Sequence, residues 1–178
     1  MANVLNNVKS GWSNVIKQLC LEKRLYIVEK KASDIQKERI KELEDKANLL
    51  LGKCDVLTLA SINEKGYPRI CALSKLKAED FKDIYFVTSK RSHLNGKATH
   101  FENNPRASVC YTLEGDSVTL IGDVEFIEDK ACQLQLWNEA DRKFFPKGID
   151  DPKFRLLKFH TIEATFWIEG KFRTCKYK

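Results

Sequence analysis

Between residues 3 and 20 the apolar positions Val4, Val8, Trp12, Val15, Ile16 and Leu19 recur at three- and four-residue spacing, which stacks them on one face of a helix. Residues 21–32 mix apolar and charged side chains without a period and carry no assignment. Ser33 with Gln36 forms a capping box, Ile40, Leu43, Ala47 and Leu50 continue a stripe, and Gly52 offers a stop, so a second helix is predicted to open the domain. From Cys54 the period changes. Residues 56–62 (VLTLASI) are β-rich, and Asn63-Glu64-Lys65-Gly66 supplies a tight turn before a strand over 69–73. Residues 84–88 (IYFVT) predict a third strand, followed by the polar run 89–93 (SKRSH) and a short helix over 97–102. Asn103-Asn104-Pro105 ends that helix, because proline disfavours helical geometry in the residue before it. Strands over 106–113 and 117–127 flank Glu114-Gly115-Asp116, residues 129–141 look helical, and strands over 157–168 and 171–177 flank Glu169-Gly170. Six or seven strands with few intervening helices predict a mainly β antiparallel barrel with short flanking α-helices, not a doubly wound sheet. Residues 1–32 form a helical extension and 33–178 the barrel domain.

Composition narrows this. The 178 residues, 43% hydrophobic and 31% charged, suit one soluble core with an appendage. No apolar run approaches the roughly 18 to 20 residues that cross a bilayer, and Lys9 and Lys17 interrupt any N-terminal apolar signal, so no membrane span and a cytoplasmic location are expected. Net charge is +6, concentrated in residues 1–53 with 11 basic against 7 acidic side chains. Those lysines alternate with acids, the pattern of a solvated face more than of a nucleic-acid arm. Cys20, Cys54, Cys71, Cys110, Cys132 and Cys175 show no C-x-x-C pair and read as buried free thiols. His93, His100 and His160 are far apart in sequence, so no metal site is expected. Neither G-x-S-x-G nor a Walker phosphate loop occurs, which counts against a hydrolase or nucleotidase of those types.

One junction concentrates chemistry. Thr88-Ser89-Lys90-Arg91-Ser92, with Lys97 shortly after, brings hydroxyls, cations and helix-start amides to one region, which suits a phosphate group and equally an ordinary polar turn. Arg69 begins a strand after a hairpin, where a guanidinium can grip phosphate bidentately or simply lie on the surface.

Resemblance shifts that balance. Residues 59–69 (LASINEKGYPR) resemble the opening hairpin of the pyridoxamine-phosphate-oxidase superfamily, and 97–109 (KATHFENNPRASV) resemble its "R-K-x-x-x-I-x-x-N-P-R-V-S-L" helix and strand. Residues 118–126 (VTLIGDVEF) are similar to the strand that follows. Leu136-Trp137-Asn138, Phe144 to Gly148, Asp151-Pro152 and Phe166-Trp167 look like the bacterial general-stress-protein branch. The resemblance implies an FMN-binding split β-barrel that forms a homodimer and holds flavin mononucleotide (FMN) at the subunit interface. Carried over residue by residue, it assigns flavin contacts to Arg69, Ile70, Cys71, Ala72 and Leu73 on the second strand, to Val87 and Thr88 on the third, and to Lys97 for the phosphate. Ser117 and Trp167 match further positions near the flavin. The connection from Thr88 to Lys97 is about three residues longer than in typical oxidases and has Gly96 where an arginine is usual, so Ser89, Arg91 or Ser92 would supply phosphate contacts. The family's C-terminal substrate-gripping "R-L-H-D-R" element is missing, which argues against vitamin B6 oxidation. The implied function is a flavoprotein oxidoreductase acting on a small-molecule substrate in stress physiology, with reduced nicotinamide as electron donor; catalytic residues are not identifiable. The alternative is a non-catalytic flavin sensor that signals through a partner, and deazaflavin or haem in the same groove stays open.

Overall fold

The structure is a computed structural model that describes residues 2–90 and 96–177, with side chains described throughout except at 2–22, 77 and 79. Its backbone forms two compact units, Met1–Glu44 and Asp45–Lys178. A single helix α1, Ala2–Lys53, replaces the two helices expected from the sequence. Residues 21–51 contain neither glycine nor proline, so nothing interrupts the helix, and Ser33 and Gln36 lie within it instead of capping a new one. Gly52 also lies inside α1 rather than closing it. Among the described residues no helix is long and apolar enough to cross a membrane.

The second unit is a split β-barrel of six strands with a seventh added. The strands are β1 (Val56–Ile62), β2 (Pro68–Asp80), β3 (Asp83–Ser89), β4 (Arg106–Leu113), β5 (Asp116–Ile127), β6 (Phe154–Ile168) and β7 (Lys171–Lys176). They are ordered β3-β2-β1-β4-β5-β6-β7, and pairing of β3 with β6 closes the barrel. Every pairing is antiparallel. Two connections have consecutive residues at positive φ, Glu114-Gly115 and Glu169-Gly170, the geometry of two-residue hairpin turns matched to strand twist. In the first hairpin the Asn63 side chain accepts from the Lys65 and Tyr67 amides, satisfying donors the turn would otherwise expose.

Alternation along β5 places Val118, Leu120 and Val124 inside while Thr119, Ile121 and Asp123 face out. The core joins Leu57, Leu59, Phe81, Ile84, Phe86, Val109, Tyr111, Leu157, Phe159 and Phe166. The last turns of α1 pack on it through Ala47 and Leu51. There the buried Tyr111 hydroxyl donates to the Ala47 carbonyl at 3.3 Å, and the Phe81 amide donates to Asn48 Oδ1 at 2.9 Å. The five cysteines among the described residues are free thiols; Cys54 is buried and the others are partly buried.

Two elements depart from expectation. β2 runs on to Asp80 because Leu76 and Ala78 alternate with charged residues, a strand pattern that its lysines and acids disguise. The helix expected over 129–141 is instead α3 (Lys130–Leu136) followed by a 3₁₀ turn at Glu139–Lys143. Asn138 separates them by accepting the Ala140 amide on its side chain at 2.9 Å, a local bond that competes with helix propagation. A small helix α2 (Lys97–Asn103) buries Ala98, His100 and Phe101.

At Gly122 an added Cβ would lie 2.0 Å from the His160 carbonyl oxygen, so Gly122→Ala forces the backbones of β5 and β6 apart. Denaturant unfolding is expected to show a loss of about 2 kcal/mol or more. Gly52→Ala, which meets nothing within 4 Å in its helix, should instead stabilise by up to about 1 kcal/mol.

Candidate functional site

The groove arises where two strands part. β2 and β3 pair from Asp80↔Asp83 back to Lys75↔Phe86 and no further. Beyond that point β3 stays on β6, with Val87, Thr88 and Ser89 opposite Leu156, Arg155 and Phe154. Residues 68–74 of β2 stay on β1. The β2 edge from Arg69 to Ser74 therefore has no ladder partner among the described residues. Backbone donors and acceptors left free along a strand edge are ready to pair with whatever enters beside them.

A cavity of about 500 Å³ fills this opening. Of the residues singled out from the sequence, Arg69, Ile70, Cys71, Ala72, Leu73, Val87, Thr88, Ser89 and Lys97 all line it. Side chains directly opposite across antiparallel strands share a face, so Arg69, Cys71 and Leu73 lie on the side of Ser61, Leu59 and Leu57. Ile70, Ala72 and Ser74 lie on the outer side with Ala60, Thr58 and Val56. The Cys71 thiol donates to the Leu59 carbonyl, so its side chain is occupied with the barrel. Lys90, at the same junction, pairs with Glu102 at 2.7 Å. Ser117 and Trp167 do not line this cavity; they face each other across β5 and β6. Ser92 and Arg91 lie outside the described residues.

Several lining residues went unassigned in the sequence: Ser74, Gly96, His100, Asp141, Phe144 and Phe145. The last three come from the segment after α3. Phe145 and Trp137 each meet Phe154 edge to face, at 5.3 and 5.6 Å between centroids, and this satellite cluster sets the segment against the groove. The run Phe144-Phe145-Pro146 was the available signal for it. Phe144 remains 64% exposed at the rim, with Lys143 Nζ 4.8 Å from its ring centre. Burial raises the Asp141 carboxyl above its ordinary pKa, and Lys143 partly offsets the rise.

His100 is the most enclosed polar group of the site, 3% exposed. Its Nδ1 lies 2.9 Å from the hydroxyl of Ser61, itself buried on β1. Its Nε2 is buried with no partner among the described residues. Burial first, and then the charge of Arg69, hold the imidazole below its ordinary value, against a smaller opposing influence of Glu64.

The sequence profile of the family described as pyridoxamine 5'-phosphate oxidase like matches residues 42–176. The chain belongs to this family. Among solved structures, the oxidase-like barrel is similar to a protein from Clostridium acetobutylicum related to general stress protein 26 of Bacillus subtilis. That likeness has a TM-score of 0.67 at 23% identity, over 76% of this chain and 94% of the other. A pyridoxamine 5'-phosphate oxidase-related, FMN-binding protein from Nostoc punctiforme matches with a TM-score of 0.55 at 18% identity, over 79% and 95% of the two chains. A haem-binding protein from Mycobacterium smegmatis matches with 0.59 at 18%, over 75% of this chain and 57% of that one. At these identities the structures establish the shared fold. No curated protein matches the sequence.

Within this oxidase-like fold, the lowered His100 value sets a pH window. Below the ordinary histidine value of 6.5 the unfolded chain binds a proton at this position that the folded chain refuses, so stability is complete above that value and falls as acid is added through it. The urea midpoint is expected to drop between pH 7.5 and about 5.5, and the drop should be smaller in His100→Gln. Identical pH profiles would mean that His100 titrates alike in both states.

Proposed function

We propose that the groove between β2 and β3 binds FMN and that the protein is an FMN-dependent oxidoreductase acting on a small molecule, with reduced nicotinamide as the electron source. The observation that carries this reading is the unpaired β2 edge ending at a cluster of cations and hydroxyls. Arg69, Lys97, Thr88 and Ser89 gather at one cavity, the donor set for a phosphate group. Along the edge, the amides and carbonyls of Ile70, Ala72 and Ser74, turned away from β1, offer hydrogen bonds to a flat heteroaromatic ring, and Phe144 offers an apolar face. The volume, about 500 Å³, falls within the roughly 300–1,000 Å³ of small-molecule sites. The FMN-binding relative from Nostoc punctiforme has the same fold. Bound FMN supplies the two-electron redox chemistry, and the chain's own residues bind it, orient it and exclude water.

The reading extends to a homodimer that completes the site. On the outer face, ladder partners align Ala72, Thr58, Cys110, Thr119, Thr165 and Thr174 in one row across β2, β1, β4, β5, β6 and β7. No member of that row is charged. The groove lies at one end of this face, and Ser117, Trp167 and the exposed Phe172 lie at the other. A two-fold contact through the face sets one protomer's Trp167 end against its partner's groove. This gives Ser117 and Trp167 a place near the flavin although they do not line the groove of their own chain.

Arg69→Ala and Lys97→Ala are each expected to raise the dissociation constant for FMN by roughly tenfold or more, the worth of a charge-assisted hydrogen bond, and to leave riboflavin binding unchanged. FMN-loaded wild type should oxidise reduced nicotinamide with a quinone acceptor faster than free FMN; equal rates would remove the redox role. Ile121→Arg puts a charge on the outer face at a position already half exposed. Sedimentation velocity should show a folded monomer that no longer retains FMN; an intact dimer would place the interface elsewhere.

A further inference from the structure

Outside the residues carried over by family resemblance, the cavity has one feature with an unmet chemical demand. His100 is enclosed at 3% exposure, anchored through Nδ1 to Ser61 at 2.9 Å, and leaves Nε2 buried without a partner among the described residues. An orphaned buried polar atom costs free energy comparable to a lost hydrogen bond, so it marks a place where a partner is expected.

The bond to Ser61 determines what that partner must be. The Ser61 hydroxyl is buried on β1 and has no other hydrogen-bond partner among the described residues. Its proton needs an acceptor, and Nδ1 is the one within reach. An imidazole that accepts on Nδ1 and stays neutral carries its proton on Nε2. The orphan is then a donor and calls for an acceptor oxygen. Ser61 lies directly opposite Arg69 across the β1–β2 ladder, and Arg69 and Lys97 line the same cavity as His100. A neutral N–H beside two cations favours an anionic oxygen. Glu64, in the β1–β2 turn, is the acid whose charge reaches the imidazole, and its influence is smaller than that of Arg69.

Resting on the FMN reading above, we propose that His100 donates from Nε2 to a phosphate oxygen of the flavin nucleotide, and that Ser61 is the positioning residue that fixes the tautomer. The pair makes the site selective for the phosphorylated flavin over riboflavin, beside Arg69 and Lys97 at the same cavity. A neutral donor packed in the core has little side-chain freedom to lose, so it adds selectivity without ordering a long side chain.

The test is fluorescence titration of the full chain with FMN and with riboflavin, in wild type, His100→Phe and Ser61→Ala, joined to nitrogen-15 NMR of the histidines. His100→Phe keeps a ring in the space and removes the donor. It should weaken FMN binding by roughly 10- to 100-fold, as expected for a hydrogen bond to a charged group, and leave riboflavin binding unchanged. Ser61→Ala should weaken FMN binding less and let the proton distribute over both ring nitrogens. In wild type the His100 proton should sit on Nε2 with and without FMN, and its resonance should shift on adding FMN but not riboflavin. FMN affinity unchanged in His100→Phe, an equal loss for both flavins, or a proton on Nδ1 in the complex would each overturn the proposal. Wild type that prefers FMN while His100→Phe keeps that preference leaves the FMN reading standing and removes this one. Wild type that binds neither flavin removes both. If circular dichroism shows His100→Phe unfolded, the tautomer in wild type decides.

Discussion

One edge of β6 is shared by two strands, and the shape of the site follows from that. β5 occupies one edge of β6 along most of its length, from Leu156 to Trp167. The opposite edge is taken by β3 as far as His160 and by β7 from Glu163 onward. At the changeover the β5 register slips between Ile121 and Gly122. The Thr161 amide donates to the Lys82 carbonyl and the Tyr177 amide to the Ile162 carbonyl, while the buried Thr161 hydroxyl donates to the Phe81 carbonyl. These bonds satisfy the backbone where two strands diverge, which would otherwise leave buried polar groups bare. Gly122 is needed there because β5 and β6 approach too closely for a side chain.

β3 keeps its ladder to β6 through Ser89, while its ladder to β2 on the other edge ends at Lys75↔Phe86. β2 and β3 part at Lys75, where the Lys75 amide turns to the Asp55 carbonyl and its ammonium group to the Cys54 carbonyl. The result is a strand with one edge paired and the other open, an arrangement that aggregation pressure normally selects against. Here the open edge lines a cavity together with Phe145 and the start of α2. An open edge at a cavity with cations at one end suits a ligand that is flat and polar along one side and anionic at its tail.

Much of the fold was legible in the sequence, and for definite reasons. β5 announced itself by strict alternation, and the hairpins by Asn63 to Gly66, Glu114-Gly115 and Glu169-Gly170, whose backbone needs are local. Ser33 and Gln36 mimic a cap and so divide α1 in two in the sequence, although nothing upstream breaks the helix. The charged residues that alternate with Leu76 and Ala78 hide the end of β2. Arg69, Thr88 and Lys97 stand out by their local chemistry, family resemblance assigns them to flavin, and the structure gathers them at one cavity. In the sequence His100 is a histidine without metal-ligand spacing inside the family-like segment 97–109, with no role attached. Its meeting with Ser61 spans 39 residues and depends on how α2 lies across β1, which no local pattern encodes. Ser117 and Trp167 illustrate a different limit, since one chain does not bring them to the groove.

The central claim is that this groove holds FMN, and the most direct measurement is the absorption spectrum of the purified wild-type protein, mixed with FMN and then freed of unbound flavin by gel filtration. The protein fraction should keep flavin absorption bands, with one FMN per chain by mass analysis after denaturation. A colourless protein fraction that retains no FMN would contradict it.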